Sequence, residues 1–351
     1  MKRNFLTLSL CMFAAMAMMA QEAETPKENP WKFDGSVGLN AAATGLVNWA
    51  AGGKNNVNGI AFAKLHLLYK EDALAWETNF DTDFGMTWID QDEDAFQKSS
   101  DNIKLATKFG WQFKPTWYLT VLGGFQSQYA LGRNYQTGYN NIISKWLAPS
   151  YTDISVGIDW KKSVKGADFS VYLSPIAGRI TTAYIGDAWN KKYSDECNKE
   201  TGTTNYDLRT ELQELYGTYT FVEKKDPITG DNLKAYHNAR AEFGLSFKGS
   251  IAYTYKDLKL GTTLALFTPY QGKGYAIDDH YFTHSNKNRS FGHFDVDWDV
   301  ALSYQFLKCL QVTLQTSLKY YPGTLIADRN GYMDERVQFK GVLGLGVGYT
   351  F

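Results

Sequence analysis

Apolar and polar residues alternate with a period of two along this chain, from Trp31 to its final residue. The last stretch shows it best. Val337, Phe339, Leu343, Leu345, Val347, Tyr349 and Phe351 fall on one face, with Gly341 as the gap. Arg336, Gln338, Lys340, Gly344, Gly346, Gly348 and Thr350 fall on the other, with Val342 as one apolar intruder. Phe294, Val296, Trp298, Val300, Leu302, Tyr304 and Phe306 alternate with Asp295, Asp297, Asp299, Ala301, Ser303 and Gln305 in the same way. Trp76, Phe80, Phe84, Met86 and Trp88 do so against Glu77, Asn79, Asp81 and Asp83. Successive residues of a strand point to opposite faces, so each run is a strand with one apolar and one polar surface. Strands of a soluble sandwich are usually about 5–6 residues long. These runs are longer, and a tilted strand of about 9–11 residues already crosses a bilayer.

About twelve such runs are predicted, near 31–43, 58–70, 74–88, 101–113, 117–132, 146–160, 167–183, 237–255, 258–267, 293–306, 310–321 and 336–351. Their connections alternate between short and long. Short ones fall at Lys70-Glu71-Asp72, Lys114-Pro115-Thr116, Lys161 to Gly166, Lys256-Asp257 and Leu307-Lys308-Cys309. Long ones fall around 44–57, 89–100, 133–145, 184–236, 268–292 and 322–335. Bacterial outer-membrane barrels have an even number of strands, short periplasmic turns and longer external loops. The predicted fold is therefore all-β: a transmembrane antiparallel up-and-down β-barrel of about twelve strands with both termini periplasmic. Trp31, Phe33, Tyr69, Trp76, Trp111, Phe113, Trp117, Trp160, Tyr255, Tyr304 and Tyr349 cluster near the short turns or the termini. Amphipathic rings favour the headgroup level, so they form the expected periplasmic girdle.

The first residues change the picture only by adding export. Lys2 and Arg3 precede an apolar run from Phe5 to Met19, and Ala20 supplies a small residue for cleavage. This predicts a signal peptide over 1–20, a short periplasmic segment over 21–30 and the barrel over 31–351, with its longest external loop at 184–236. Cys197 and Cys309 are then left at opposite ends of the barrel, too far apart to pair. Lys+Arg total 36 and Asp+Glu 37, a balance with no field to attract nucleic acid.

Residues 31–175 resemble an uncharacterised family of Bacteroidota outer-membrane barrels known only as a domain of unknown function. The resemblance rests on Asn48-Trp49-Ala50-Ala51-Gly52-Gly53, on Phe96-Gln97-Lys98-Ser99-Ser100-Asp101-Asn102 and on Ala148-Pro149-Ser150-Tyr151. It implies a location and an architecture but no activity and no catalytic residues.

Candidate chemistry sits on the inward faces and in the loops. Glu77, Asp81, Asp83, Asp295, Asp297 and Asp299 are expected to line the lumen together with Lys104, Lys108, Lys319, Arg336 and Lys340. Mixed charge of this kind is either a selectivity path or a cross-linked core. A turn centred on Lys308 would set Asp297 opposite Lys319. The row Gly344, Gly346 and Gly348 is expected to leave space inside the wall. In the signature loop, Gly52-Gly53 permit positive φ beside the bulky Trp49, which suits either a constriction folded into the mouth or a packed external loop. Asp278, His280 and His284 are the one metal-like cluster, without a strand or helix to fix its geometry. A barrel phospholipase would need a lipid-facing serine and histidine, but His66 falls on the lumen side, so no enzyme activity and no cofactor are expected. Leu208, Leu212 and Leu215 share a helical face that Asp207 can cap and Gly217 can stop. That helix is expected either to dock a partner or to fold back as a lid.

The sequence thus predicts a narrow, weakly selective channel for small solutes, with a structural or docking subunit of an outer-membrane assembly as the alternative and a hydrolase as a distant third. Expected partners are outer-membrane lipid and lipopolysaccharide, the barrel-assembly machinery and a further outer-membrane protein. Tyr349 and Phe351 end the last strand as the expected assembly signal. Deleting Phe351 should lower the folded amount in the membrane fraction, read as the heat-shifted gel band. An unchanged band would count against that signal.

Overall fold

The computed structural model describes residues 29–44, 55–90, 92, 95–134, 141–225, 227, 232–277, 287–307, 310–322, 324–327 and 333–350. Twelve antiparallel strands close into one barrel in chain order. They are β1 (Trp31–Thr44), β2 (Asn56–Glu71), β3 (Leu74–Ile89), β4 (Phe96–Lys114), β5 (Trp117–Ser127) and β6 (Ser150–Val164). The second half is β7 (Ala167–Thr182), β8 (Ala239–Tyr255), β9 (Leu258–Pro269), β10 (Asp295–Gln305), β11 (Leu310–Tyr320) and β12 (Gln338–Thr350). Among the described residues no helix is long and apolar enough to cross a membrane. This chain crosses with strands: closing the ring leaves no sheet edge, the condition that lets β-structure span hydrocarbon.

The wall is two-faced as the alternation requires. Leu39, Trp76, Leu119, Ile154, Leu173, Phe243, Trp298, Leu343 and Leu345 all lie outward and exposed. At the end bearing the short turns, Trp31 packs 4.8 Å from Tyr69 and 5.9 Å from Trp76, and Trp117 faces Trp160 across one ladder. This is the ring of interfacial aromatics expected there. The two-residue turn between Val164 and Ala167 has positive φ at both Lys165 and Gly166, a primed turn whose twist matches the flanking strands. Here glycine's missing Cβ is used.

Four strand ends differ from expectation by four or five residues, two of them those of β6, which spans Ser150–Val164 rather than 146–160. β5 stops at Ser127 because Tyr129 and Ala130 bend to donate backbone N–H groups to the Asp101 carboxylate. β4 starts at Phe96, so Phe96-Gln97-Lys98 belong to the wall rather than preceding it.

The glycine row is the larger correction. Asn40 of β1 lies against Gly344 and Gly346 of β12, and Gln311 of β11 lies against Gly348. The missing side chains make room for neighbours and leave no open lumen there. A Cβ on Gly346 would sit 2.0 Å from Asn40 Oδ1 and 2.6 Å from the Leu39 carbonyl oxygen, and backbone cannot yield cheaply. Gly346→Ala should therefore destabilise the barrel by about 1–3 kcal/mol in urea unfolding from micelles. Gly59→Ala, which would meet nothing within 4 Å, is the near-neutral control. Equal midpoints for the two variants would refute the tight fit.

Candidate functional site

The lumen holds charges that the strands aim inward from opposite walls. Lys104 of β4 meets Asp299 of β10 at 2.8 Å. Those strands stand half a ring apart, so this pair crosses the full lumen. Lys108 of β4 meets Asp159 of β6 at 2.9 Å, and Ser170 donates to the same carboxylate at 2.7 Å. Lys161 of β6 reaches Glu77 of β3 at 3.2 Å. Lys340 of β12 stands 3.5 Å from Asp83 of β3 and donates to Ser100, whose own hydroxyl donates to Asp83. Nearer the short turns, His66 lies 2.9 Å from Asp34 and 3.5 Å from Glu77.

The end bearing the long loops carries the tightest knot. Arg179 of β7 donates from Nε and Nη2 to Asp153 at 2.7 and 3.1 Å, and from Nη1 to Asp295 of β10 at 2.7 Å. Its guanidinium lies 5.1 Å from the Phe267 ring centre. Tyr321 donates to Asp297 at 2.6 Å, Lys319 lies 3.5 Å from the same carboxylate, and the Tyr321 ring packs 5.0 Å from Tyr151. Burial makes such charges costly unless each is paired and hydrogen-bonded, and here they are.

Above this knot two helices fold over the rim, α1 (Asp187–Thr201) and α2 (Leu208–Leu215). Leu208 and Leu212 are fully buried and pack with Ile142, Ala148, Ala183, Ile185 and Tyr216, with Leu215 partly buried against them. The leucine face thus serves as a fold-back cap. Asp207 caps α2, accepting from the Thr210 backbone at 2.9 Å and from Asn190 at 2.9 Å. Burial alone would raise the Asp207 carboxyl, but those hydrogen bonds hold it below the usual carboxylate range.

Of the residues singled out by sequence, Glu77, Asp81, Asp83, Lys104, Lys108, Asp295, Asp297, Asp299, Lys319 and Lys340 stand on the inner wall. Asp297 and Lys319 are direct cross-strand partners. Arg336 lies at the rim just before β12. The signature loop Asn48–Gly53, the cluster Asp278, His280 and His284, and Phe351 lie outside the described residues. Among the described residues, no group of three or more His, Cys, Asp or Glu side chains is placed to hold a metal.

Sequence reasoning missed Arg179 and Lys161. Strict alternation from Val171 and Leu173 puts Arg179 outward. A bulge at Ser174-Pro175, two residues opposing one on β6, reverses the parity and turns Arg179 inward. The signal was Pro175, since proline inside a strand is tolerated at a bulge or an edge. Lys161 was assigned to a turn, whereas β6 runs on to Val164.

Two cavities lie along β1–β3 and β10–β12, both reaching β9 and the first also β4 and β5, while a smaller one lies among β4–β10 around Lys104, Asp153, Arg179 and Asp297. The one toward the long loops is lined by Phe62, Lys64, Asp81, Asp83, Asp299 and Lys340, among others. The one toward the short turns is lined by Asp34, Lys64, His66, Asp81, Lys259 and Gln311, among others. Lys64 and Asp81 border both.

Residues 41–133 match a family described as Protein of unknown function (DUF3078). No curated protein matches this chain. Among solved structures, the NanC porin is 9% identical, covering 91% of this chain and 100% of that one with a TM-score of 0.34. The translocator domain of the autotransporter NalP from Neisseria meningitidis is 11% identical, covering 99% and 96% with a TM-score of 0.32. Outer membrane phospholipase A from Escherichia coli is 14% identical, covering 95% and 96% with a TM-score of 0.33.

Arg179 gives the site its sharpest test. Arg179→Met removes the guanidinium that holds the Asp153 and Asp295 carboxylates together and should destabilise the barrel by about 3–5 kcal/mol in denaturant unfolding. Adding Asp153→Asn and Asp295→Asn should restore much of that loss. A triple variant no more stable than the single one would show that the arginine acts through packing instead.

Proposed function

We propose that this protein is inserted in a bacterial outer membrane and provides a narrow, weakly selective path for small charged solutes. The observation that carries this reading is the pair of polar cavities meeting at Lys64 and Asp81, which run in series along one side of the lumen. The short turns and both termini face the periplasm in this reading, and the long loops face outward. The opposite side of the lumen is occupied by Lys108–Asp159 and Arg179–Asp153–Asp295, which narrows the passage. Charges of both signs along the path favour small ions or zwitterions over large neutral solutes. Lipid and lipopolysaccharide surround the wall, and the assembly machinery inserts it. No catalytic step is assigned to His66, which lies inside the lumen against Asp34 and Glu77 rather than on the lipid-facing surface.

A second reading, a docking subunit of an outer-membrane assembly, is favoured by the external aromatic pair Trp189 and Tyr193. Their rings stack at 5.4 Å on α1, and Trp189 is exposed.

Single-channel recording of the refolded protein separates the two. Asp81→Asn should shift the cation-to-anion preference at about 0.1 M salt, where the Debye length is about 10 Å, and the shift should shrink at about 1 M. Asp295→Asn lies off the path and should leave selectivity alone. Folded protein without reproducible channel events would sink the channel reading and leave the docking one.

A further inference from the structure

The small cavity on the crowded side of the lumen has a volume of about 100 Å³. Its charged lining is Lys104 of β4, Asp153 of β6, Arg179 of β7, Lys248 of β8, and Asp297 and Asp299 of β10. Five of these six have charge partners. Lys104 meets Asp299 at 2.8 Å, Arg179 holds Asp153, and Asp297 has Tyr321 at 2.6 Å and Lys319 at 3.5 Å. Lys248 is the exception. Its ammonium makes no ion pair and no hydrogen bond among the described residues.

The ladders give Lys248 no carboxylate neighbour. It stands beside Tyr172 of β7 and Ala265 of β9, and Ser246 and Ser250 flank it on the same face of β8. The charges that reach it are led by like ones. Lys108, whose Nζ lies 5.8 Å from the centre of that Tyr172 ring, acts on it most strongly, and Lys104 next; Glu77 and Asp153 follow. Lys248 is partly buried. An ammonium withdrawn from bulk water beside two others is costly unless a counter-charge reaches it.

Neutral polar groups around the same space are equally unengaged. Gln126 of β5 is the cross-strand neighbour of Lys104, Thr263 of β9 is that of Asp299, and Ser246 lies two residues from Lys248. All three line the cavity, and none of their side chains makes a hydrogen bond among the described residues. The Lys104–Asp299 bridge, with Gln126 and Thr263 at its two ends, also borders the larger cavity toward the long loops, so it forms the partition between the two spaces. Lys248 and Ser246 stand on the far side of that partition. Polar side chains withdrawn from bulk water are normally hydrogen-bonded, so four unengaged ones around one small space point to an occupant. A surplus positive charge with hydroxyl and amide donors beside it fits an anion. The carboxylates on the same lining oppose a second negative charge. The volume also lies well below the roughly 300–1,000 Å³ of pockets that hold drug-sized molecules.

We propose that Lys248 and Ser246, with Gln126 and Thr263 at the partition, bind a small monovalent anion of chloride size. The anion supplies the counter-charge that the chain itself does not give Lys248. The inference goes beyond the channel reading, since the site fills at equilibrium whether or not solutes cross the barrel.

Urea unfolding of the refolded full chain in micelles tests it, with sodium gluconate exchanged for sodium chloride at constant ionic strength. An anion bound only by the folded barrel raises stability with the logarithm of its concentration. The urea midpoint should therefore rise as chloride replaces the larger gluconate. Lys248→Met should abolish the rise while keeping the heat-shifted gel band of the folded protein, and Ser246→Ala should move the rise to higher chloride. Lys64→Met alters a lysine that also lacks an ion pair but borders the two larger cavities, and it should keep the rise. No rise in the parent, or an equal rise in Lys248→Met, would overturn the proposal. Crystals grown in bromide read the site directly. An anomalous scattering peak beside Lys248 Nζ, lost in Lys248→Met, is the expected result; bromide found only elsewhere would overturn the site.

Discussion

Backbone hydrogen bonding in hydrocarbon is the constraint on which this structure depends. A lipid-facing N–H or C=O has no water to turn to, so a strand can stand in a membrane only when both edges are paired. Eleven of the twelve junctions obey this over at least ten residue pairs. The twelfth, between β12 and β1, does so over six. Every other feature of the wall follows from closing that ring. The strands must be long, their outward faces apolar, and their inward faces free to carry what lipid would reject.

The inward faces carry charge, and the low-dielectric interior makes each charge expensive unless a partner stands within reach. The strands meet this by sending lysines and carboxylates across the lumen, Lys104 to Asp299 being the widest span. The net charge of -1 is then the sum of many paired groups rather than a sign of weak electrostatics. Lys108–Asp159 and Arg179–Asp295 crowd the β4–β10 side, where only a small cavity remains, and larger space lies along β1–β3 and β10–β12.

Much of this architecture was legible because period-two alternation survives in every membrane-crossing run, and strand number, order and turn placement follow from it. What was not legible has physical causes. Pro175 inserts a residue and reverses the parity of β7, so Arg179 faces the lumen where plain alternation puts it in lipid. The glycine row of β12 read as vacant space, yet a missing side chain is equally room for a neighbour, and Asn40 and Gln311 take it. Alternation places most inward charges, Arg179 and Lys161 excepted, but does not say which ones meet. Pairs such as Lys108 with Asp159 or Lys161 with Glu77 depend on how far each strand is staggered around the ring.

Replacing buried ion pairs with well-packed apolar side chains often leaves a protein equally or more stable. Stability alone therefore does not account for a lumen built this way. A hydrocarbon-filled interior would seal the barrel, whereas paired charges hold opposite walls at fixed distances and leave polar cavities beside them. Lys64 and Asp81 border both larger cavities. The closing seam is held by packing rather than charge. Its six-pair ladder is backed from inside by the Phe62 ring, which packs over Gly38. Charge pairs thus tie opposite walls on one side, and at the seam Asn40, seated on Gly344 and Gly346 and donating to Thr313, ties β1 to β11 across β12.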